Sequence, residues 1–488
     1  MAGVLLTMSV ASVKAGGILT NTNQAIDFLR NPAREAAIGL DGVYSNPAGV
    51  AFLPDGLHLG FNWQYAHQTR TITSTNPYFA YGRKNGGQEE KVFKGVADAP
   101  FIPSLQAAYN KDNWSLQFNL SVPGGGGKCK FDEGLGSFES VVGGIADMLK
   151  PLGSTGQYDM DGYMQGRQYY WGFQLGSAYK INDNMSVYGG LRLLYGDASY
   201  KAKISNIMVN TAGGYQEFRN FMQQATATVE NGLAQINAGI AGYEAAGVEV
   251  PAELMAQKAQ LEGTRQSLNA LQKYNEGVNL QCDQSGLGIA PVLGIDYKIG
   301  DFNFAAKYEF KTQMRMKNRS TVNEASEIAA VNKFKDDEKV DEDSPALLTA
   351  GAQWSFLPNA RLNLGYHHFF DKNVNWYENS QELLDHDTNE YLAGLEWDIN
   401  DDLTVSGGVQ FTRYGLSDEY MNDMSFVVNS YSFGFGINYK LSDVVTLKAA
   451  YFQTNYEDYD RNDYPTIGIS DSFTRTNRVL GFGCEVSL

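Results

Sequence analysis

Apolar residues recur at every second position through much of this chain, and that period limits the fold more than any other feature. Leu57, Leu59, Phe61, Trp63 and Tyr65 alternate with His58, Gly60, Asn62 and Gln64. Trp114, Leu116, Phe118, Leu120 and Val122 alternate in the same way with Ser115, Gln117, Asn119 and Ser121, and Tyr169, Trp171, Phe173 and Leu175 repeat the pattern. Successive side chains of a strand project to opposite faces, so each segment predicts a strand with one greasy, aromatic face and one small or polar face. Fourteen such segments begin near Leu57, Phe101, Trp114, Tyr169, Met185, Leu287, Phe302, Leu347, Leu362, Tyr391, Leu403, Tyr431, Val445 and Arg478. A soluble sandwich would bury the greasy face. Aromatic residues at the strand ends fit better as the interfacial girdle of a transmembrane barrel.

The connections support the barrel independently. Asn110–Asn113, Ile181–Asn184, Ile299–Asp301, Leu357–Ala360, Asn400–Asp402 and Leu441–Asp443 read as tight turns, and they alternate strictly with long connections. Barrels of this kind have short inner turns and long outer loops, which gives an even strand count with both ends on the inner side. The last segment, Leu480, Phe482, Cys484, Val486 and Leu488, alternates to the final residue. The expected fold is therefore all-β, a 14-stranded antiparallel transmembrane β-barrel. A helical membrane protein would need apolar runs of roughly twenty residues, and the sequence has none. A net charge of −17 argues against nucleic acid as a partner. Much of that charge lies in the run Asp336–Asp343, which reads as a solvated loop.

Met1–Ala15 reads as a secretory signal that ends in a small-x-small site at Val13-Lys14-Ala15. Residues 16–56 then form an N-terminal hatch and residues 57–488 the barrel. An insertion at about 215–276 has helical character: Phe218, Met222, Ala225, Val229 and Leu233 form one stripe, and Leu254, Leu261, Leu268 and Leu271 a second. This predicts an antiparallel helical hairpin in an outer loop, closed on itself by its own seam. It also offers a surface for a protein partner or for ligand capture. A shorter helix is expected over Phe138–Leu149. Cys129 and Cys282 fall in two outer loops, where an oxidising compartment would permit a bridge between them. The five histidines show no metal-site spacing. No Ser, His and acid set stands out for catalysis, so neither a metal, a cofactor nor an enzymatic activity is expected.

The stretch ahead of the first strand, Ala33 to Gly49, closes on Asn46-Pro47-Ala48-Gly49. It resembles the hatch of the FadL/TodX family of outer-membrane transporters of long-chain fatty acids and other hydrophobic compounds. Phe101-Ile102-Pro103-Ser104-Leu105 and Gly190-Leu191-Arg192-Leu193-Leu194-Tyr195-Gly196 are further matches. The resemblance implies a bacterial outer-membrane location. It also implies capture of a hydrophobic small molecule by outer loops, hatch rearrangement, and sideways exit into the outer-membrane lipids at a kinked third strand. By that resemblance Asn46, Pro47, Ala48 and Gly49 belong to the hatch, and Ile18 and Leu19 lie where the family's N-terminus reaches its ligand. Pro123, Gly124 and Gly125 are the candidate kink, because Pro and Gly break ladder pairing. Arg192 and Lys307 point inward by parity and are candidate contacts for a carboxylate headgroup. Glu309 and Glu396 also point inward, which favours structural ion pairs. Two rival readings stand beside transport: a barrel that scaffolds an outer-membrane assembly through its helical insertion, and a receptor for haem or another hydrophobic ligand.

Overall fold

The computed structural model describes residues 20–322 and 329–488. The signal reading over Met1–Ala15, and Ile18 and Leu19, lie outside the described residues.

The polarity of the sheet is inverted relative to a soluble protein. On the first strand, β1 (Gly56–Thr75), Leu59 and Phe61 are 41% and 43% exposed, whereas Asn62 and Gln64 are 5% and 3% exposed. The third strand repeats this, with Trp114 and Leu116 exposed at 59% and 56% and Ser115 and Gln117 sealed at 0% and 1%. Greasy side chains outside and amides inside give a surface that only hydrocarbon solvates well.

Fourteen long antiparallel strands close the wall. After β1 come β2 (Glu90–Lys111), β3 (Trp114–Phe131), β4 (Ser154–Lys180) and β5 (Met185–Thr211). They are followed by β6 (Val278–Ile299), β7 (Phe302–Glu309), β8 (Leu347–Leu357), β9 (Ala360–Phe369) and β10 (Thr388–Asp398). The wall ends with β11 (Leu403–Arg413), β12 (Ser430–Lys440), β13 (Val445–Tyr456) and β14 (Ser470–Ser487). β14 pairs back onto β1 from Ser487 opposite His58 to Ser470 opposite Thr75, so no edge remains. Four short strands extend the sheet at its outer rim, among them Arg315–Val322, which continues the line of β7.

The inner turns fall where the sequence predicts them. The outer ends of the strands do not. β2, β4, β6 and β14 begin at Glu90, Ser154, Val278 and Ser470, well outside the expected starts at Phe101, Tyr169, Leu287 and Arg478. Above the bilayer the outward face meets water, so residues such as Lys94, Lys128 and Lys130 replace the greasy ones and the alternation fades while the ladder continues. The acidic run is divided as well. Asp336–Lys339 is exposed, but Glu342 and Asp343 are buried, and Asp343 accepts hydrogen bonds from the backbone N–H of Met314 and Asn375.

The outer loops carry helices. α2 (Gly136–Met148) packs over the mouth and adds Phe138, Val142 and Ile145 to a large apolar core. The hairpin is formed by α3 (Phe218–Ala245) and α4 (Ala252–Leu271). Its base is buried at Phe218, Met222, Val229, Leu268 and Leu271, and its tip, with Val248 and Met255, is exposed. One further short helix, α1 (Ile26–Arg30), lies in the N-terminal segment.

Leu191, 52% exposed at the lipid face of β5, tests the inversion. Leu191→Arg is expected to destabilise the folded barrel by about 2–4 kcal/mol in reversible urea unfolding from lipid vesicles. A soluble fold would show almost no cost at so exposed a position.

Candidate functional site

Residues 20–55 fill the lumen as a plug with little secondary structure, so most of their backbone groups need partners from outside the segment. The wall supplies them. Side-chain amides and hydroxyls on inward positions donate to plug carbonyls: Ser104 to Gln24, Gln174 to Val43 (3.1 Å), Gln117 to Pro47 (2.8 Å), Ser186 to Ala48 (2.7 Å), Asn303 to Ala36 (2.7 Å) and Asn110 to Val50 (2.8 Å). The polar face that reads in the sequence as a generic lumen is the docking face for this backbone.

Asn46 is the centre of the inner part. Its Nδ2 donates to Asp296 Oδ2 on β6 (2.6 Å) and to the Ala37 carbonyl (3.3 Å), while its Oδ1 accepts from the Gly49 N–H (3.2 Å). One buried amide thus ties the Asn46–Gly49 turn both to the plug's own chain and to the wall. Pro47 and Ala48 present the carbonyls held by Gln117 and Ser186, and Ala48 packs with Ala178, Tyr188 and Val292.

Ion pairs hold the rest. Glu396 on β10 accepts Arg30 at 2.7 Å and Arg34 at 2.9 Å; Arg34 also pairs with Asp41 at 2.8 Å, and Asp27 with Lys448 of β13 at 2.6 Å. Burial on its own would raise the Asp27 carboxyl, but Lys448, Arg30 and Arg34 outweigh it and hold the group well below the usual carboxylate range. Breaking a buried pair by deleting one partner strands a charge, at a cost of about 3–5 kcal/mol. His367 of β9 lies between two carboxylates, Glu35 of the plug at 2.6 Å and Glu390 of β10 at 2.8 Å.

Arg192 and Lys307 do face the lumen, and both are committed. Each pairs with Glu309, Lys307 at 2.6 Å, and each lies against the Tyr44 ring, at 5.0 and 4.5 Å from its centroid. Lys307 also donates to the Tyr44 carbonyl at 2.7 Å. These two cations clamp the plug.

Sequence reasoning missed the wall glycines that admit the plug. A Cβ at Gly365 would overlap the Glu35 carboxylate, one at Gly394 the Asn31 amide, and one at Gly434 the Leu29 carbonyl. The available signal was glycine on the inward parity of β9, β10 and β12, which face Glu35, Asn31 and Leu29 of the plug.

The ladder between β2 and β3 has a gap. β2 and β3 pair from Lys111–Trp114 up to Leu105–Leu120, lapse, and resume only at Ala97–Cys129. Pro123, Gly124 and Gly125 lie in that lapse. Gly125 has φ 103°, and a Cβ there would overlap the Gln168 carbonyl of β4, so the bend demands glycine. Val122, placed on the lipid face by parity, is buried, because β3 turns inward here. The plug fills the vacated pairing: Thr20 bridges Gly124, Asn21 donates from its backbone to the Pro123 carbonyl (2.9 Å) and from its side chain to the Gly125 carbonyl (3.0 Å), and Gln24 accepts from the Val122 N–H (3.0 Å).

Cys129 and Cys282 are not in loops. They lie on β3 and β6 as buried free thiols, and no bridge joins them. The strands' extension above the bilayer carries both positions into the wall.

No protein-family model and no curated protein matches the chain. Solved structures do. A Pseudomonas aeruginosa FadL homologue superposes with a TM-score of 0.59 at 12% identity, over 96% of this chain and 99% of that one. The Pseudomonas putida toluene transporter TodX gives 0.51 at 13% identity over 96% and 99%, and the Ralstonia pickettii toluene transporter TbuX 0.52 at 12% over 94% and 97%. With the closed fourteen-stranded wall, the plugged lumen and the inverted polarity already evident, this likeness fixes the architecture: the chain has the fold of the FadL and TodX outer-membrane β-barrels.

Proposed function

We propose that this chain conducts hydrophobic small molecules, long-chain fatty acids among them, through the bacterial outer membrane. The outer loops capture the ligand, the plug yields, and the ligand leaves sideways between β2 and β3. The observation that carries this reading is the shared edge at Val122–Gly125. The same β3 groups that β2 abandons are bonded by residues 20–24 of the plug. Withdrawal of the plug therefore exposes that edge, so plug movement and wall opening are linked states of one structure. The neighbouring apolar core in the mouth suits the cargo, because each buried methylene gains about 0.8 kcal/mol. Two of the similar solved structures are described as toluene transporters, which suits a hydrophobic cargo. Arg192 and Lys307 serve in this reading as plug anchors, and Asn46 with Pro47 as the hinge of the inner turn.

The scaffold reading has one observation in its favour: the tip of the α3–α4 hairpin is exposed and apolar at Val248 and Met255. Removing residues 234–262 separates the two. Transport by capture at the mouth survives this deletion with uptake intact, while a scaffold loses its co-purifying partner.

Asn46→Ala combined with Pro47→Ala is expected to reduce uptake of a hydrophobic substrate several-fold in whole cells, with normal heat-modifiable mobility of the folded barrel. Unchanged uptake removes the hatch role of this turn.

A staple tests the exit. A Cβ at Gly127 would lie 3.9 Å from the Ala99 Cβ across the lapse, within disulfide range. In a chain whose three native cysteines are replaced by serine, Ala99→Cys with Gly127→Cys should block uptake when oxidised and restore it on reduction. Equal uptake in both redox states would mean that the ligand leaves by another path.

A further inference from the structure

The outward side of the wall carries a second pattern just where it leaves hydrocarbon. On β4 the outward side chains run from Tyr179, stacked beside Trp114 at the inner girdle, up to Tyr169. Ten residues at about 3.3 Å each, on a strand tilted by roughly 40°, rise about 25 Å, the height of the hydrocarbon belt. Tyr169 therefore marks the outer edge of that belt. The next outward position is Arg167, opposed by Lys128 on β3. One step higher Gln165 lies between Lys130 of β3 and Lys201 of β5, and above it Tyr163 opposes Lys203. Lys128, Lys130 and Lys203 are exposed and Lys201 is half-buried.

Among the described residues none of these four lysines makes an ion pair, although the chain has 55 acidic residues against 38 basic ones. Acids close by are taken: Asp197 by Arg167 at 2.8 Å, Asp161 by Lys84 at 2.7 Å, and Asp98 by His67 at 2.6 Å. Higher up the outward face carries Asp132 and Asp161, so the unpaired positive charge is confined to a narrow band.

Exposed lysines on a soluble protein are usually a solvated face. These stand at the headgroup layer, where each basic side chain adds roughly fivefold to the affinity for an anionic lipid. The layout selects the headgroup. Lys130 and Lys201 are two strand spacings apart, about 10 Å, and four ammonium groups exceed the single charge of a phosphodiester. Two phosphate monoesters, each of charge about −1.5 to −2, match them. Between the two lysines Gln165, 8% exposed, accepts from the Tyr163 hydroxyl at 3.1 Å, which gives an amide-and-ring floor suited to a sugar. Below it Trp171 and Phe173 of β4 and Leu191 and Tyr195 of β5 form a greasy wall for acyl chains.

We propose that Lys128, Lys130, Lys201 and Lys203 bind a glycolipid of the outward-facing monolayer that carries two phosphates on a sugar headgroup. Its acyl chains lie on the β4–β5 wall beneath. The site is outside the barrel and independent of the transport reading. Lys128 adjoins Cys129, where the β2–β3 pairing resumes, so the bound lipid stands beside the lapse.

The test titrates three probes into the full chain folded in a non-ionic detergent: diphosphoryl lipid A, the same lipid without its phosphates, and phosphatidylglycerol. The wild type should hold the first at least about tenfold more tightly than either of the others. Lys128→Gln, Lys130→Gln and Lys201→Gln together should weaken it at least about tenfold, with normal heat-modifiable mobility, and the corresponding arginine variant should stay within about threefold. Lys111→Gln, Lys180→Gln and Lys440→Gln remove equal charge at the inner turns and should change binding less than about twofold. Equal binding of the phosphate-free lipid overturns the site, and equal binding of phosphatidylglycerol overturns the glycolipid as its occupant. Undiminished binding in the folded outer glutamine variant, or an equal loss in the inner one, overturns the assignment to these lysines.

Discussion

A closed sheet in hydrocarbon must turn its polar side chains inward, and everything inside this molecule follows from that. The outward face is spent on lipid, so Ser115, Gln117 and Asn119 line a lumen that cannot build an ordinary oily core around an insert. The plug is accordingly held by amide-to-carbonyl bonds and by ion pairs such as Arg34–Glu396 and Asp27–Lys448. Its apolar packing is divided among three small clusters, around Ile26, Phe28 and Leu29, around Leu40, Val43 and Val50, and around Ala48 and Ala51. Hydrogen bonds of this kind exchange with water at modest net cost, whereas the buried charges resist piecemeal removal. A plug fastened in this way is firm as a unit and is not welded by hydrophobic burial.

Much of the fold was legible because lipid imposes a strict period of two and because inner turns are short. The starts of β1, β3 and β5 and all six inner turns could be read directly. The outer reach of the strands could not: beyond the bilayer the outward faces of β2 and β4 meet water, while Phe93, Ala97, Tyr158 and Met164 turn inward into the mouth core, so the outward greasy period is lost. Parity placed Arg192, Lys307, Glu309 and Glu396 inward, but it has no depth coordinate or partner list, so the clamp of Tyr44 by two cations stayed hidden. The glycines facing the plug were equally silent, since a missing side chain shows its purpose only when a neighbour occupies the space. Cys129 and Cys282 were misplaced for the same reason as the strand ends.

Two buried arginines, Arg70 on β1 and its register partner Arg475 on β14, illustrate a difference between kinds of buried charge. Arg30, Arg34 and Lys448 are neutralised within the chain and so act as fasteners. Arg70 and Arg475 have no carboxylate partner among the described residues, and the Nε of each is buried without a hydrogen bond. The two kinds also occupy different depths, fasteners around the plug and the open pair in the mouth.

The height of the β2–β3 lapse has a topographic consequence. Taking about 3.3 Å per residue along strands tilted by roughly 40°, the stretch from Ser121 to Lys128 rises from about 18 Å above the inner aromatic girdle at Trp114, against a hydrocarbon belt about 25 Å tall. Under the proposed sideways exit, a doorway at that level opens onto the outward-facing monolayer. Whatever leaves by it has still to cross to the opposite monolayer before anything in the periplasm can collect it.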